Sequence, residues 1–319
     1  SRRRHTRFRN VTGVQTCALP ISMPKASIIP PFRDHRLHAL RDALKADGAY
    51  ECLHLAFTSP SALRMLGTDP ATAVSIENPI GEEISLMRTS LLPSLLQTLE
   101  RELRSPDEQR LLLYEYGKTM AKGRPERFEL CAIFSSKEDL HFSVEPFFVL
   151  KRTLERVLAT IDHPMILEAS HPEASCEHPG RTATISIDGV SVGRLFELHP
   201  STLEAFDIHE RTVAAVLDLD ALFERTPHTR TQRPIPAFPG IRIDETLSLP
   251  KCSFDILVKK CSHELLRRID VIDVYEHPET HERRVTLRFE YRRDDRTLTD
   301  AEVHAAHSVV FKALLSSLS

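Results

Sequence analysis

The sequence predicts an α+β protein built around a largely antiparallel sheet, with a smaller sandwich at its C-terminal end. Three observations carry this. Strand-like and helix-like segments mix without regular βα alternation, which argues against a doubly wound nucleotide fold. The pair Asp188-Gly189 sits between two alternating apolar runs, the strongest short-range hairpin signal in the chain. After residue 240 the segment order reads β-α-β-β-α.

The elements follow in order. Residues 33–48 carry Leu37, Leu40 and Leu44 at helical spacing and end on Asp47-Gly48. A strand is expected over 50–57. Ser59-Pro60 opens a short helix with Leu63 and Leu66, closed by Gly67. A short strand over 74–77 precedes the Asn78-Pro79 turn. Leu91, Leu92, Leu95, Leu96, Leu99 and Leu103 form one helical stripe, with Ser90 as N-cap and Pro93 in the first turn, where its missing N–H costs little. Strands are expected over 110–117, buried on both faces, and over 127–134. A helix follows at 147–161, then a hairpin of 182–187 with 192–198, then a strand at 211–217.

Residues 224–239, rich in Pro, Thr and Arg, read as a linker. Beyond it come a strand (243–249), a helix (253–267), two strands (269–277, 283–291) and a helix (300–318). Thr299 and Glu302 form a capping box for the last helix. This is five sixths of a ferredoxin-like sandwich. The expected organisation is therefore 1–22, a non-native or disordered segment; 23–223, the main domain; and 224–319, the second domain with its linker. Residues 1–22 lack helix or strand periodicity and resemble translated sequencing adapter, so Met23 need not be the native start.

Composition narrows the function classes. The chain has 319 residues and a formal charge of −3, so any nucleic-acid contact must come from a local patch. No apolar run is long enough to span a bilayer. The six cysteines show no zinc spacing and read as reduced thiols. His35/His38 and His304/His307 lie three apart on helices without a third ligand, and read as solvated; no metal site is expected. There is no phosphate loop, no GxGxxG and no nucleophile elbow.

Residues 78–96 (NPIGEEISLMRTSLLPSLL) resemble a segment of the bacterial phenylalanyl-tRNA synthetase beta subunit of the form NP-x-SEE-x-x-x-MRTSLLPGLL. Independently, 236–244 (PAFPGIRID) and 294–303 (DDRTLTDAEV) are similar to the opening and closing signatures of the ferredoxin-fold anticodon-binding domain of that subunit. The resemblance implies a class II synthetase-like, inactive core for 23–223 and an anticodon-binding domain for 224–319. It implies a catalytic alpha subunit and tRNA-Phe as partners, an (αβ)2 heterotetramer, a cytoplasmic location, and ATP with Mg²⁺ used by the complete enzyme but held by no residue of this chain. The family's upstream tRNA-binding and editing domains have no counterpart here.

No catalytic residue is expected. An active enzyme would show a segment similar to YRRDxxDxTH where this chain has Leu112–Lys118, and a glycine-rich strand where it has Arg194, Phe196 and His199. Arg88, Thr89 and Ser90, with His178, Arg181 and His199, are expected as structural or subunit-interface motifs. Arg88 is expected to be held by Glu82, Glu83 or a partner subunit. The tRNA-binding candidates are Arg242, Arg284, Arg288, Arg292, Arg293 and Arg296, since guanidinium groups suit phosphates and bases, with Phe289 and Tyr291 as stacking surfaces. Carboxylates at Glu282, Glu290, Asp294 and Asp295 make a salt-bridged face the competing reading. Two further functions stay open: a single-chain phenylalanyl-tRNA synthetase and a free-standing RNA-binding paralogue.

Overall fold

A computed structural model describes residues 32–105, 110–137, 145–229, 235–248, 261–277 and 282–316. The chain divides into two compact units, Ser1–His228 and Thr229–Ser319.

The first unit is a seven-stranded sheet with helices on both faces. Helix α1 (Phe32–Ala46) leads through Gly48 into the short β1 (Tyr50–Glu51). Then come β2 (Phe57–Thr58), α2 (Pro60–Met65), β3 (Leu86–Met87) and α3 (Leu92–Leu103). The main strands are β4 (Arg110–Thr119), β5 (Arg127–Ser136), β6 (Ile166–Ala169), β7 (Glu177–Ile187), β8 (Val190–Leu198) and β9 (Thr212–Asp218). Helix α4 (Pro146–Ala159) follows β5, α5 (Pro200–Ala205) precedes β9, and α6 (Leu219–Phe223) follows it. The strand order is β1-β4-β5-β9-β8-β7-β6. Only the β1–β4 pair is parallel; β4 through β9 pair antiparallel with their neighbours.

Strand alternation divides the core in two. Leu112, Tyr114, Leu130 and Ala132 point toward α1 and α4. Leu111, Leu113, Cys131 and Ile133 point toward the leucine stripe of α3. Leu95, Leu96 and Leu99 are fully buried there, each side chain contributing about 1.5–3 kcal/mol by leaving water. The β7–β8 hairpin turns through Asp188 (φ 52°) and Gly189 (φ 75°), the two left-handed residues a tight hairpin turn requires.

The second unit pairs β10 (Ile241–Ser248), β12 (Arg283–Tyr291) and β11 (Leu266–Glu276) in that order, all antiparallel. Helix α7 (Asp300–Ser316) covers one face. Its N-terminus is capped reciprocally: Glu302 N donates to Thr299 Oγ1 and Thr299 N donates to Glu302 Oε2, at 3.4 and 3.0 Å.

Several expectations change. The strand expected over 50–57 exists only at its two ends, because residue 54 turns inward to a buried carboxylate. The strand over 74–77 reduces to one bridge, Ser75 to Leu86. Strand β6 was not expected; its four residues carry too short a pattern to announce themselves. Of the helix expected at 253–267, residues 253–260 lie outside the described residues, and the chain is already in strand β11 at Leu266. His307 is not solvated: it lies in the second core, where Tyr291 Oη sits 3.0 Å from its Nδ1.

Candidate functional site

The face of the large sheet that carries α3 also carries Glu115, Arg88 and Arg194. Glu115 stands on β4 and is completely buried. Its carboxylate accepts from Arg88 Nη1 at 2.7 Å and from His54 Nδ1 at 2.6 Å. His54 Nε2 lies 2.8 Å from the Thr98 hydroxyl of α3, which donates to it when the ring proton sits on Nδ1. Burial pushes the Glu115 carboxyl up, but the His54 and Arg88 hydrogen bonds outweigh it and hold it below its ordinary value.

Arg88 is almost as buried. Its Nε donates to Lys118 O at 3.0 Å, its backbone N–H to Ala56 O at 3.0 Å, and Met120 N donates to Arg88 O at 2.9 Å. One arginine thus ties the 52–58 segment, the entry to α3 and the end of β4 together. Gly117 makes room for it: a Cβ there would lie 2.1 Å from Arg88 Nη2. Arg88 is therefore held by Glu115, not by Glu82 or Glu83. Thr89 is buried and its carbonyl accepts from Arg124 Nη2 at 3.0 Å. Ser90 Oγ accepts from Leu92 N at 3.2 Å, while Leu91 is the cap position.

Arg194, on β8, is also consumed internally. It donates through Nε and Nη2 to Glu177 at 3.0 and 2.5 Å, through Nη1 to Glu173 at 2.6 Å, and to His171 O at 2.8 Å. On the opposite face of β8, buried Glu197 receives Arg211 through two hydrogen bonds of 2.9 and 3.0 Å, and Arg181 at 2.9 Å. Burial raises the Glu197 carboxyl, but Arg211 and Arg181 bring it below its ordinary value. His178 Nδ1 accepts from Gly180 N at 3.1 Å, a local turn that appears as a register break in β7. His199 caps α5 by accepting from Ser201 N at 3.2 Å. The six residues expected as motifs make their contacts at three places: Arg88 with Thr89 and Ser90, His178 with Arg181, and His199.

A triphosphate needs cations free to meet its oxygens. Arg88 and Arg194 are neutralised by carboxylates, so neither is free to meet a triphosphate. Among the described residues no three His, Cys, Asp or Glu side chains converge as metal ligands.

The second unit presents a different surface. Along β12, Val285, Leu287, Phe289 and Tyr291 face α7, so the two aromatic rings are core residues and offer no stacking surface. The alternate residues form a ladder of charge on the open face. Arg242, Glu290 and Arg268 stand in one row across β10, β12 and β11; Asp244, Arg288 and Asp270 stand in another. Arg288 binds Asp244 through two hydrogen bonds of 2.8 and 2.7 Å, and Arg242 meets Glu290 at 3.3 Å. Arg284 lies 3.3 Å from Glu282, Arg292 3.6 Å from Asp294, and Arg293 3.0 Å from Asp295. Arg296 donates to Glu302 at 2.9 Å. The structure brings Arg242, Arg284 and Arg288 onto one face. Arg292, Arg293 and Arg296 sit on the exit from β12, which ends at Tyr291.

Sequence reasoning missed Glu115, His54, Gly117, Glu197 and Arg211. One signal was present: a glutamate inside a strand read as buried on both faces demands a cation, and Arg88 was the nearest conspicuous one.

With this geometry in place, the comparisons with known proteins are direct. The family model for the phenylalanyl-tRNA synthetase beta chain CLM domain matches residues 19–219, well over half of the chain. The model for the ferredoxin-fold anticodon-binding domain matches residues 238–319. The chain is 30% identical over 282 residues to the phenylalanine–tRNA ligase beta subunit of Shouchella clausii, covering 83% of this chain and 35% of that protein. It is 27% identical over 323 residues to the same subunit of Syntrophotalea carbinolica, covering 94% and 40%. The chain thus spans two fifths or less of the length of these relatives. Among solved structures it is similar to a pyrrolysyl-tRNA synthetase of Desulfitobacterium hafniense, at TM-score 0.49 and 16% identity over 60% of this chain and 68% of that one.

Proposed function

This chain belongs to the phenylalanyl-tRNA synthetase beta chain family, and on that premise we propose that it serves as a non-catalytic part of a phenylalanine–tRNA ligase. In this reading 23–223 is a catalytic-like scaffold that packs against the catalytic alpha subunit, and 224–319 is an anticodon-binding domain for tRNA-Phe. The assembly is an (αβ)2 heterotetramer of the cytoplasm. ATP and Mg²⁺ are used by the complete enzyme. This chain's own residues orient, scaffold and bind; they do not activate the amino acid.

The observation that carries the reading is the fate of the two arginines. A class II site needs free cations over the central sheet, and here Arg88 and Arg194 are locked to Glu115 and Glu177. What remains is a sheet whose buried arginines are invested in its own rigidity, followed by a domain of the anticodon-binding family. For the tRNA contacts, Arg242, Arg284, Arg288, Arg292, Arg293 and Arg296 remain the proposed residues. Their pairs are exposed, so a phosphate can compete for each guanidinium at small cost.

Co-expression of residues 23–319 with an alpha subunit from the same genome, followed by size-exclusion chromatography with mass determination, tests the assembly. A stable complex of both chains is expected, with phenylalanylation only when the alpha subunit is present. A well-folded chain that never joins the alpha subunit would sink the reading. Limited proteolysis is expected to cut first within 224–239.

A further inference from the structure

Glu115 and His54 do more than hold Arg88. With Thr98 they form a chain of hydroxyl, imidazole and carboxylate. Thr98 Oγ1 lies 2.8 Å from His54 Nε2, and His54 Nδ1 lies 2.6 Å from Glu115 Oε2. Arg88 binds the other carboxylate oxygen, Oε1, at 2.7 Å, which leaves Oε2 to the imidazole. The proton positions follow from these partners. Glu115 is completely buried among donors that hold its carboxyl below the ordinary value, so it accepts and Nδ1 donates. In the neutral ring Nε2 is then an acceptor, and the Thr98 hydroxyl aims its proton at it.

The Thr98 hydroxyl is unusual in another way. A hydroxyl inside a helix commonly bonds back to the carbonyl four residues earlier, as Ser308 does to His304 O at 2.8 Å in α7. Thr98, in the middle of α3, meets only His54 among the described residues. Burial falls along the chain in the direction a nucleophile needs. Glu115 is sealed, the His54 side chain is 23% exposed, and Thr98 is half-buried at the surface of α3. Arg101 follows Thr98 by three residues, a spacing that shares one side of the helix, and it is exposed. Cys52, two residues before His54, does not compete: burial, with Glu115 nearby, pushes its thiol up to about 11.

We propose that Thr98 is a nucleophile, with His54 as its base and Glu115 as the positioning residue, and that it accepts an acyl group from an activated carboxylic ester. Thr98 Oγ1 attacks the carbonyl carbon and forms a new C–O bond, while His54 Nε2 takes the hydroxyl proton. The tetrahedral intermediate collapses, the bond to the leaving oxygen breaks, and His54 passes its proton to that oxygen. Glu115 stays ionised and holds the imidazolium. Arg101 supplies a nearby positive charge for the oxyanion. The product is an O-acyl threonine. The reaction needs neither another subunit nor RNA, so its failure and that of the ligase reading are distinguishable.

The full chain incubated with p-nitrophenyl acetate tests this, with release of p-nitrophenolate followed by absorbance and the acetyl group located by peptide mass spectrometry. Acetylation of Thr98 is expected in the folded chain and is lost in urea. Thr98→Ser keeps the adduct and Thr98→Val abolishes it. His54→Gln slows acetylation at this position about 100-fold, the lower end of general-base contributions. An adduct confined to lysines or to Cys52 would overturn the proposal. So would acetylation of Thr98 at the parent's rate in His54→Gln. Should either variant fail to fold, the parent chain decides alone, because a Thr98 that reacts equally fast in urea owes nothing to His54.

Discussion

Arg88 and Arg288 both hold a carboxylate from a neighbouring segment, at 2.7 Å in each case. Arg88 is 6% exposed and its partner Glu115 is completely buried. Arg288 and Asp244 lie on an open sheet face with water on one side. The chemistry is the same and the consequence is opposite. In the first unit neither charge can be released without stranding the other in a low-dielectric core, so the pair fixes the fold. In the second, water takes over whatever the partner lets go, so the pair can be exchanged for a ligand.

The sharpest way to break this comparison is to remove one charge from the buried pair. Arg88→Met is expected to cost about 3–5 kcal/mol, because Glu115 stays behind buried with its full cation gone and only His54 left on its carboxylate. Urea denaturation of the purified chain measures it. Restoring neutrality with Glu115→Leu in the Arg88→Met background is expected to recover much of the loss. A loss under about 1 kcal/mol in the single variant, the level of an exposed pair, would mean that Arg88 does not organise the sheet edge.

Gly117 offers a second, smaller break. An added methyl would overlap Arg88 Nη2, so Gly117→Ala is expected to destabilise by about 1–3 kcal/mol, the usual range for overpacking. In the Arg88→Met background the penalty should shrink, since the obstructing atom is gone. Purely additive losses would place the strain elsewhere.

These two residues also mark what could be read before the structure. The leucine stripe of α3, the Asp188-Gly189 hairpin and the three strands of the second unit were legible because each is a periodic or local signal. The ion pairs were not. Arg88 and Glu115 lie 27 residues apart, and nothing in the spacing says which carboxylate a buried arginine will meet. Phe289 and Tyr291 were misread as stacking surfaces for a related reason. Strand parity separates them from Arg288, but only the position of α7 shows which parity is covered. His307 follows the same rule on the covering helix: it faces the sheet and His304 does not.

A pH series sharpens the comparison further, because buried groups should dominate the acid limb. His163 is completely buried, with no hydrogen-bond partner for either ring nitrogen among the described residues. Burial lowers its pKa from the ordinary 6.5. The unfolded chain therefore takes up a proton first as pH falls below about 6.5, and stability declines from there. Glu115 and Glu197, whose carboxyls are depressed in the fold, add a second decline that begins below the ordinary carboxylate value of 4.5. Their stabilisation is complete above that value and is lost as pH falls through the folded pKa. Chemical denaturation at pH 7.5, 6 and 5 is expected to show the first decline, and His163→Leu to flatten it. An unchanged slope in that variant would assign the decline to another group.

The smallest effect on stability, and the most telling for function, belongs to Arg288→Ala. The Arg288 guanidinium holds the Asp244 carboxyl below its ordinary value through paired hydrogen bonds, yet both side chains are open to solvent, and the midpoint of unfolding should barely move. If the open face meets the phosphates of tRNA, the same change weakens binding nearly uniformly and lowers the salt slope by about one. Filter binding of tRNA to the assembled enzyme, across a range of ionic strengths, reads that slope. Arg284→Ala and Arg242→Ala should behave alike, since all three stand on one face. If instead the charge ladder serves only to keep an open sheet face soluble, all three variants will bind with the parent's affinity and slope. The tRNA contact would then have to lie on the exit from β12, where Arg292, Arg293 and Arg296 are found.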